Sequence, residues 1–403
     1  MGMESLTEAT LADVCNLVTD GTHDTPTRVK TGYPLIKAKE ITGGRIDFAN
    51  CDQISEKEHL QVIARSKPEF GDTLFAHIGA SLGEAAFVNT NRAFSIKNVA
   101  LFKPNPQAID PRYLYYLVIS PFFQSLAKGT KTGSAQPFLG LSQLRGHRIQ
   151  YHRNLGTQRR IAGILSAYDE LIENGQGRVR ILDTMARSLY REWFVHFRFP
   201  GHKEIKQVPS VLGDIPEGWS VKKLGEVCVL TMGQSPKSEF YNGSGQGQPF
   251  HQGVTNFGER FPVDGLFCTV EGRVAEAGDI LFSVRAPVGR MNIADKKIIM
   301  GRGLSAIRHK EGHQCVLWEQ LRNRFTAEDL MGNGAIFASV TKSDMLGIEL
   351  LCPPAGLMAG STRQLKPIHD ELFTLTKTIG NLQKTRNLLL PRLLSGQIRL
   401  EAA

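Results

Sequence analysis

A heptad seam near the middle of the chain limits what the rest of it can do. Stepping alternately four and three residues from Ile161 meets Leu165, Tyr168, Ile172, Gly175, Val179, Leu182, Ala186, Leu189 and Trp193, with Gly175 the one weak position. Apolar residues at the a and d positions of a heptad predict a helix that pairs with another helix along a narrow stripe. A helix packed on a sheet shows a broader apolar face. The helix is expected from Gln158 to Phe199, and at about 1.5 Å per residue it would reach roughly 60 Å. A rod of that length separates whatever lies at its ends.

The chain on either side of the seam repeats. Leu11-Ala12-Asp13-Val14-Cys15 returns as Leu224-Gly225-Glu226-Val227-Cys228, an offset of 213 (224 less 11). Gly71-Asp72-Thr73-Leu74-Phe75 returns as Gly278-Asp279-Ile280-Leu281-Phe282, an offset of 207 (278 less 71). The seam itself returns as Leu365, Ile368, Leu372, Leu375, Ile379, Leu382, Arg386, Leu389 and Leu393, and Arg187 matches Arg392 at an offset of 205 (392 less 187). Offsets that shrink slowly mark one duplicated unit with small deletions.

The order is therefore globular, helix, globular, helix, and the second helix can satisfy its seam by packing back antiparallel along the first. The expected fold class is α+β: two mixed domains separated by two long antiparallel coiled-coil helices, with a pseudo-two-fold internal repeat. Boundaries are expected at 1–155 for the first domain, 156–199 for the central helix, 200–219 for a linker, 220–356 for the second domain and 357–403 for the distal helix and tail. Pro209, Gly213, Pro216 and Gly218 break the linker. The competing arrangement, a duplicated protein whose helices pack on their own sheets, fits the nearly unbroken heptads less well. Within the first domain, apolar runs such as Tyr33–Ile36 and Val99–Phe102 read as short strands, and Pro111 to Lys128 reads as a helix.

Composition narrows the function classes. Forty-eight Lys and Arg against 39 Asp and Glu leave a formal charge of +9, which favours a polyanionic partner. The six cysteines stand singly, with no C-x-x-C pair and no histidine at zinc-ligand spacing, so neither a disulfide framework nor a metal site is expected. A reducing cytoplasm is expected: Met1 to Thr10 lacks the charged-then-apolar pattern of a signal peptide, so none is expected, and no run of about 18 apolar residues is present in the sequence. No G-x-x-x-x-G-K-[ST] phosphate loop occurs, and the Pro-Pro of Cys352-Pro353-Pro354-Ala355 lacks the Asn/Asp and aromatic neighbours of an adenine methyltransferase. Gly243-Ser244-Gly245-Gln246-Gly247 has no strand-to-helix context and reads as a surface loop. The expectation is a chain with no catalytic residues and no cofactor of its own.

Two stretches carry a resemblance. Met185-Ala186-Arg187-Ser188-Leu189-Tyr190-Arg191-Glu192-Trp193-Phe194-Val195, then Phe197-Arg198-Phe199-Pro200-Gly201 and Gly213-Asp214-Ile215-Pro216-Glu217-Gly218-Trp219, resemble the central conserved region of type I restriction-modification specificity subunits. Arg386 to Ile398 resembles the distal conserved region of that family. The resemblance implies two target-recognition domains, each reading one half of a bipartite asymmetric site in double-stranded DNA. It also implies two adenine-N6 methyltransferase (modification) subunits docked on the helices, and motor-nuclease (restriction) subunits that can join them. Half-sites about one helical turn apart lie roughly 34 Å apart along the duplex, so their readers need a rigid spacer. Two rivals stay open: a coiled-coil interaction scaffold with duplicated ligand-binding domains, and a self-contained restriction or methylation enzyme.

Base edges are read by Arg, Lys, Asn, Gln, Ser and Thr on loops that can leave the sheet. In the first domain the expected readers are Lys131, Thr132, Ser134 and Gln136 of a small polar loop, with Thr22, His23, His77 and Ser81; a flexible turn and a hydrogen-bonded core histidine are the plain alternatives. The second domain offers Arg285, Arg290, Arg302, Asn333 and Lys342. On the distal seam, Arg386 can either pair with a carboxylate or snorkel past the seam end. Tyr190, Trp193, Phe194 and Phe197 exceed what a two-helix seam covers, so they are expected either beneath the second domain or on a docking surface.

Overall fold

A computed structural model describes residues 6–129, 138–330, 339–398 and 400. Its chain falls into two units, Met1–Asn174 with Ile379–Ala403, and Gly175–Thr378. Each unit combines one globular segment with part of a central helix, Leu155–Tyr190, and part of a distal helix, Ala355–Leu394.

In the first unit the strands β1 (Cys15–Asp20), β2 (Thr73–Phe75), β3 (Ala85–Phe87) and β4 (Ala100–Pro104) form an antiparallel sheet in the order β1-β4-β2-β3. Both faces of β2 are covered. Phe75 packs with Phe102, Tyr113, Leu114 and Phe123 in one cluster, whereas Leu74 packs with Ile36, Ile96 and Leu101 in another. That two-sided burial explains why β2 reads as a continuous apolar run. A short helix, α1 (Glu56–Ile63), is capped by the Ser55 hydroxyl, which accepts from the Glu58 N–H. The helix expected from Pro111 to Lys128 is two helices, α2 (Pro111–Ile119) and α3 (Pro121–Gly129). Pro121 disfavours helical backbone at Ser120, which is extended with ψ 151°.

The second unit repeats the plan. Its strands β5 (Cys228–Met232), β6 (Ile280–Ser283), β7 (Met291–Ile293) and β8 (Leu304–His309) take the order β5-β8-β6-β7, again antiparallel. Phe282 meets Phe325 of helix α4 (Gln314–Leu330) edge-on with ring centroids 4.8 Å apart, as Phe75 meets Phe123 at 5.6 Å. The repeated Gly-Asp is a turn: Gly71 and Gly278 have φ of 96° and 89°, conformations that suit glycine. Asp72 accepts from the Glu69 N–H at 2.7 Å and from Lys103 at 2.7 Å, and Asp279 accepts from the Glu276 N–H at 2.8 Å and from Arg308 at 2.6 Å. This motif recurs because it starts a strand.

Within each unit the two long helices run antiparallel. In the first, His152 Nε2 lies 3.1 Å from the Leu393 carbonyl while Asp169 meets Arg386 at 3.1 Å, and Ile161 and Leu165 share a core with Leu390 and Leu393. In the second, Arg178 donates to Glu371 at 2.6 Å, and Ala186 and Tyr190 share a core with Met358 and Leu365. Every seam residue from Ile161 to Trp193 and from Leu365 to Leu393 is buried or half-buried. Arg386 is half-buried and paired, not snorkelling.

One expectation changes at the end of the central helix, and one of two alternatives is decided there. It starts at Leu155, runs into one π-turn, Arg191–Val195, and stops before Phe197, whose φ of 55° is left-handed; it does not continue to Phe199. Tyr190 and Phe194 are buried in a cluster with Phe199, Ile215 and Trp219 and with Cys315, Val316 and Leu351 of the second domain, and Trp193 and Phe197 pack at its margin, so these aromatics lie beneath the second domain, the first of the two expected places. The linker contains a small hairpin, Gln207–Val208 against Ile215–Pro216. No helix among the described residues is long and apolar enough to cross a membrane.

Candidate nucleic-acid interface

Register places the loops. In the first unit Asp20, Ala100 and Phe75 lie side by side across β1, β4 and β2, so the segments that leave β1 and β2 and enter β4 emerge at one end of the sheet. In the second unit Met232, Ser305 and Phe282 line up across β5, β8 and β6. Loops at that end are free to carry side chains away from the sheet.

The first unit organises its loop end around a buried carboxylate. Asp20 is 2% exposed and accepts from Arg65, just beyond α1, and from His23 Nε2 at 2.9 Å. His23 Nδ1 lies 2.9 Å from Asn98 Oδ1, and Asn98 has a φ of 53°. The Thr22 N–H donates to the Ile96 carbonyl at 3.1 Å, and its hydroxyl accepts from the Asp24 N–H at 3.1 Å. A cleft of about 570 Å³ beside this cluster is lined by Thr22, His23, Thr25, Gln61 and Arg65, among others. Hydroxyl, amide, imidazole and guanidinium groups in one cleft are the donors and acceptors that meet phosphates and base edges.

His77 departs from its expected role. It is 1% exposed, its Nδ1–H donates to the Leu139 carbonyl at 2.9 Å, and Nε2 faces Asp20 at 3.9 Å. Burial holds its imidazolium below the usual histidine range, although the Leu139 carbonyl and Asp20 pull the other way. The ring is turned inward and braces the loop. The Leu139 N–H also donates to the His77 carbonyl at 2.9 Å, and Ile78 pairs with Phe138. Ser81 lies in the adjoining turn, its carbonyl accepting from the Glu84 N–H at 2.9 Å. Lys131, Thr132, Ser134 and Gln136 lie outside the described residues, as does Asn333.

The second unit uses the same frame with different side chains. The Val340 N–H donates to the Val284 carbonyl at 2.8 Å, repeating the bond between Leu139 and His77, and Arg285 pairs with Ser339 as Ile78 pairs with Phe138. A turn follows in which the Ser283 hydroxyl donates to the Pro287 carbonyl at 2.6 Å and accepts from the Arg290 N–H at 2.9 Å. The Gln234 N–H donates to the Met300 carbonyl as Thr22 donates to Ile96, and Gly233 donates to Leu304 as Gly21 donates to Val99, so Arg302 lies in the connection that carries Asn98 in the first unit, one residue longer here. Its N–H donates to the Ser235 hydroxyl at 3.1 Å, and that hydroxyl donates to Gln252 Oε1 at 2.9 Å. The side chains of Arg285, Arg290, Arg302 and Lys342 are exposed, and among the described residues none of the four forms an ion pair.

Asp20, Arg65, Asn98, Ser235 and Gln252 were not among the expected residues. The Gly-Asp offset of 207 carries Arg302 back to Ser95 (302 less 207), close to Asn98 but not onto it. The others meet across separations that the sequence does not display. Among the described residues no group of three His, Cys, Asp or Glu could hold a metal ion, and all six cysteines are free.

Known proteins share this plan. The family model for the type I restriction modification DNA specificity domain matches twice, at residues 3–180 and 216–387. A sequence assigned as the type I restriction enzyme MjaX specificity subunit of Methanocaldococcus jannaschii is 31% identical over 97% of this chain and 93% of its own length. The HindI specificity subunit of Haemophilus influenzae is 23% identical over 87% of this chain and 91% of its own. In fold, the crystal structure of a type I restriction-modification S subunit from M. genitalium aligns with a TM-score of 0.64 at 15% identity, covering 98% of this chain and 97% of that one.

Proposed function

This chain belongs to the family of type I restriction-modification specificity subunits, and we propose that it chooses where its complex acts, each globular segment reading one half of a bipartite asymmetric DNA target. The observation that carries this reading is the repeated loop end: two specificity domains with the same sheet order present different polar side chains at the same positions. A duplex offers two half-sites related by its own pseudo-symmetry, and two unlike readers on one frame suit an asymmetric sequence.

The first unit reads with the cleft around Thr22, His23 and Arg65, together with the loop carrying Lys131, Thr132, Ser134 and Gln136. The second reads with Arg285, Arg290 and Arg302, with Lys342 and Asn333 beside them. Arginine bidentate to guanine is the commonest specific contact, and Lys342 suits a phosphate. The paired helices set the distance between half-sites and dock two modification subunits, with restriction subunits joining the assembly. Methyl transfer and cleavage belong to those partners, and this chain contributes no catalytic residue. The domain limits that go with this reading are 1–155, 156–199 with its helix ending at Val195, 200–219, 220–356 and 357–403.

Sequencing of methylated adenines in host DNA tests the reading: the expected result is one bipartite motif with an unread spacer. Four residues inserted into the central helix lengthen that spacer, and an unchanged spacer overturns the role of the helices. DNA affinity is expected to fall steeply with salt, and a salt-independent affinity overturns the assignment of DNA as ligand.

A further inference from the structure

In each unit one carboxylate of the central helix holds the helix of a specificity domain. In the first, Asp169 accepts from the Tyr116 hydroxyl of α2 at 2.7 Å through one oxygen and from Arg386 of the distal helix at 3.1 Å through the other. In the second, Asp183 accepts from both terminal nitrogens of Arg322 on α4, at 2.6 and 2.8 Å, and lies 3.9 Å from Arg260 Nη1. Arg260 carries the connection to the distal helix, its Nη2 donating to His369 Nδ1 at 2.9 Å. A guanidinium only donates, so the His369 proton sits on Nε2, which faces Glu319 of α4 at 3.0 Å. Both networks therefore close through three elements: the domain helix, the central helix and the distal helix.

These groups are poorly placed for stability alone. Arg260 is 7% exposed and Glu319 2% exposed, and well-packed apolar side chains commonly serve as well as a buried ion pair. Burial pushes the Asp183 carboxyl up, but the Arg322 fork, with Arg187 and Arg260, outweighs it and holds the group below its ordinary range. What a fork adds is direction. An apolar contact tolerates rotation and sliding, whereas two parallel N–H···O bonds admit one geometry.

We propose that Asp169 and Asp183 are positioning residues that set the angle at which each specificity domain sits on the helix pair, and through that angle the accuracy with which its half-site is read. The proposal rests on the specificity reading above.

The test uses the full chain assembled with its modification subunits and compares methylation rates on the matched target, on targets with one mismatch in either half-site, and on targets with a spacer one base pair longer or shorter. Asp183→Asn is expected to lower discrimination against mismatches in the second half-site by about tenfold, the share carried by one charge-assisted hydrogen bond, and Asp169→Asn to do the same for the first. Each also relaxes spacer discrimination. Arg322→Lys keeps the charge and loses the fork, so it is expected to behave like Asp183→Asn, while Tyr116→Phe gives a smaller loss confined to the first half-site. Should an Asp variant fail to fold, Arg322→Lys and Tyr116→Phe decide by the same readouts. Variants that methylate the matched target with parental discrimination overturn the proposal alone. A parent complex that methylates without regard to sequence overturns the specificity reading and this proposal together.

Discussion

The first unit holds its loop end with a buried charge, and the second holds its loop end with a backbone turn. At the end of β1 stands Asp20, gathering Arg65 and His23, with His77 behind it. At the matching end of β5 stands Met232, with Val284 in the place of His77 and the Ser283–Pro287–Arg290 turn doing the holding. The frame is kept in the strands that fill the core and changed at the loop end, where even buried residues differ: Asp20 and His77 against Met232 and Val284. The proposed function calls for that division, since on it the two halves dock alike and read differently.

The largest test of the shared frame lies in its cores. Phe75→Ala and Phe282→Ala remove fully buried rings at equivalent positions, and each is expected to cost about 3–5 kcal/mol in chemical denaturation. Clearly unequal costs would break the equivalence. Arg302→Ala comes next: a loss of about 1–3 kcal/mol in binding, with relaxed preference at one position of the second half-site, while Asn98→Ala changes only the first. Binding to single-base variants of each half-site separates the two. Lys342→Ala is expected to weaken all sequences alike and to reduce the salt slope by about 1, as for one lost phosphate contact; sequence-dependent weakening would make Lys342 a base reader instead.

The smallest effect concerns pH. Burial keeps the folded His77 pKa below its ordinary value of about 6.5, so the folded state binds fewer protons than the unfolded chain below that pH. Its contribution to stability is full above about pH 6.5 and is lost as pH falls through the lower folded value. His77→Val, which installs the second unit's residue, is expected to flatten that fall. Urea denaturation across pH 5 to 7.5 checks it, and an unchanged slope would show that the remaining buried histidines carry the dependence.

Much of the fold was legible because it depends on periodicity and repetition. The heptads named both helices and their partner, and the Gly-Asp echo marked the strands at which the two sheets correspond. The candidate site was legible only in part. Thr22, His23 and Arg302 lie on the loop ends, but nothing local distinguishes His77, buried and turned inward, from an exposed loop histidine. The break at Ser120 follows from Pro121, although the apolar positions on either side of it read as one helix.

By itself the sequence determined the duplicated order of domain and helix and the antiparallel seams, because apolar spacing acts over a few residues and shows in one dimension. Only the tertiary structure decided which polar groups meet: Asp20 with Arg65, Asp169 with Tyr116 and Arg386, and Asp183 with Arg322. Such pairs join residues 45 to 217 positions apart. Their energy depends on distance, direction and exclusion of water, and those exist once the chain has closed on itself.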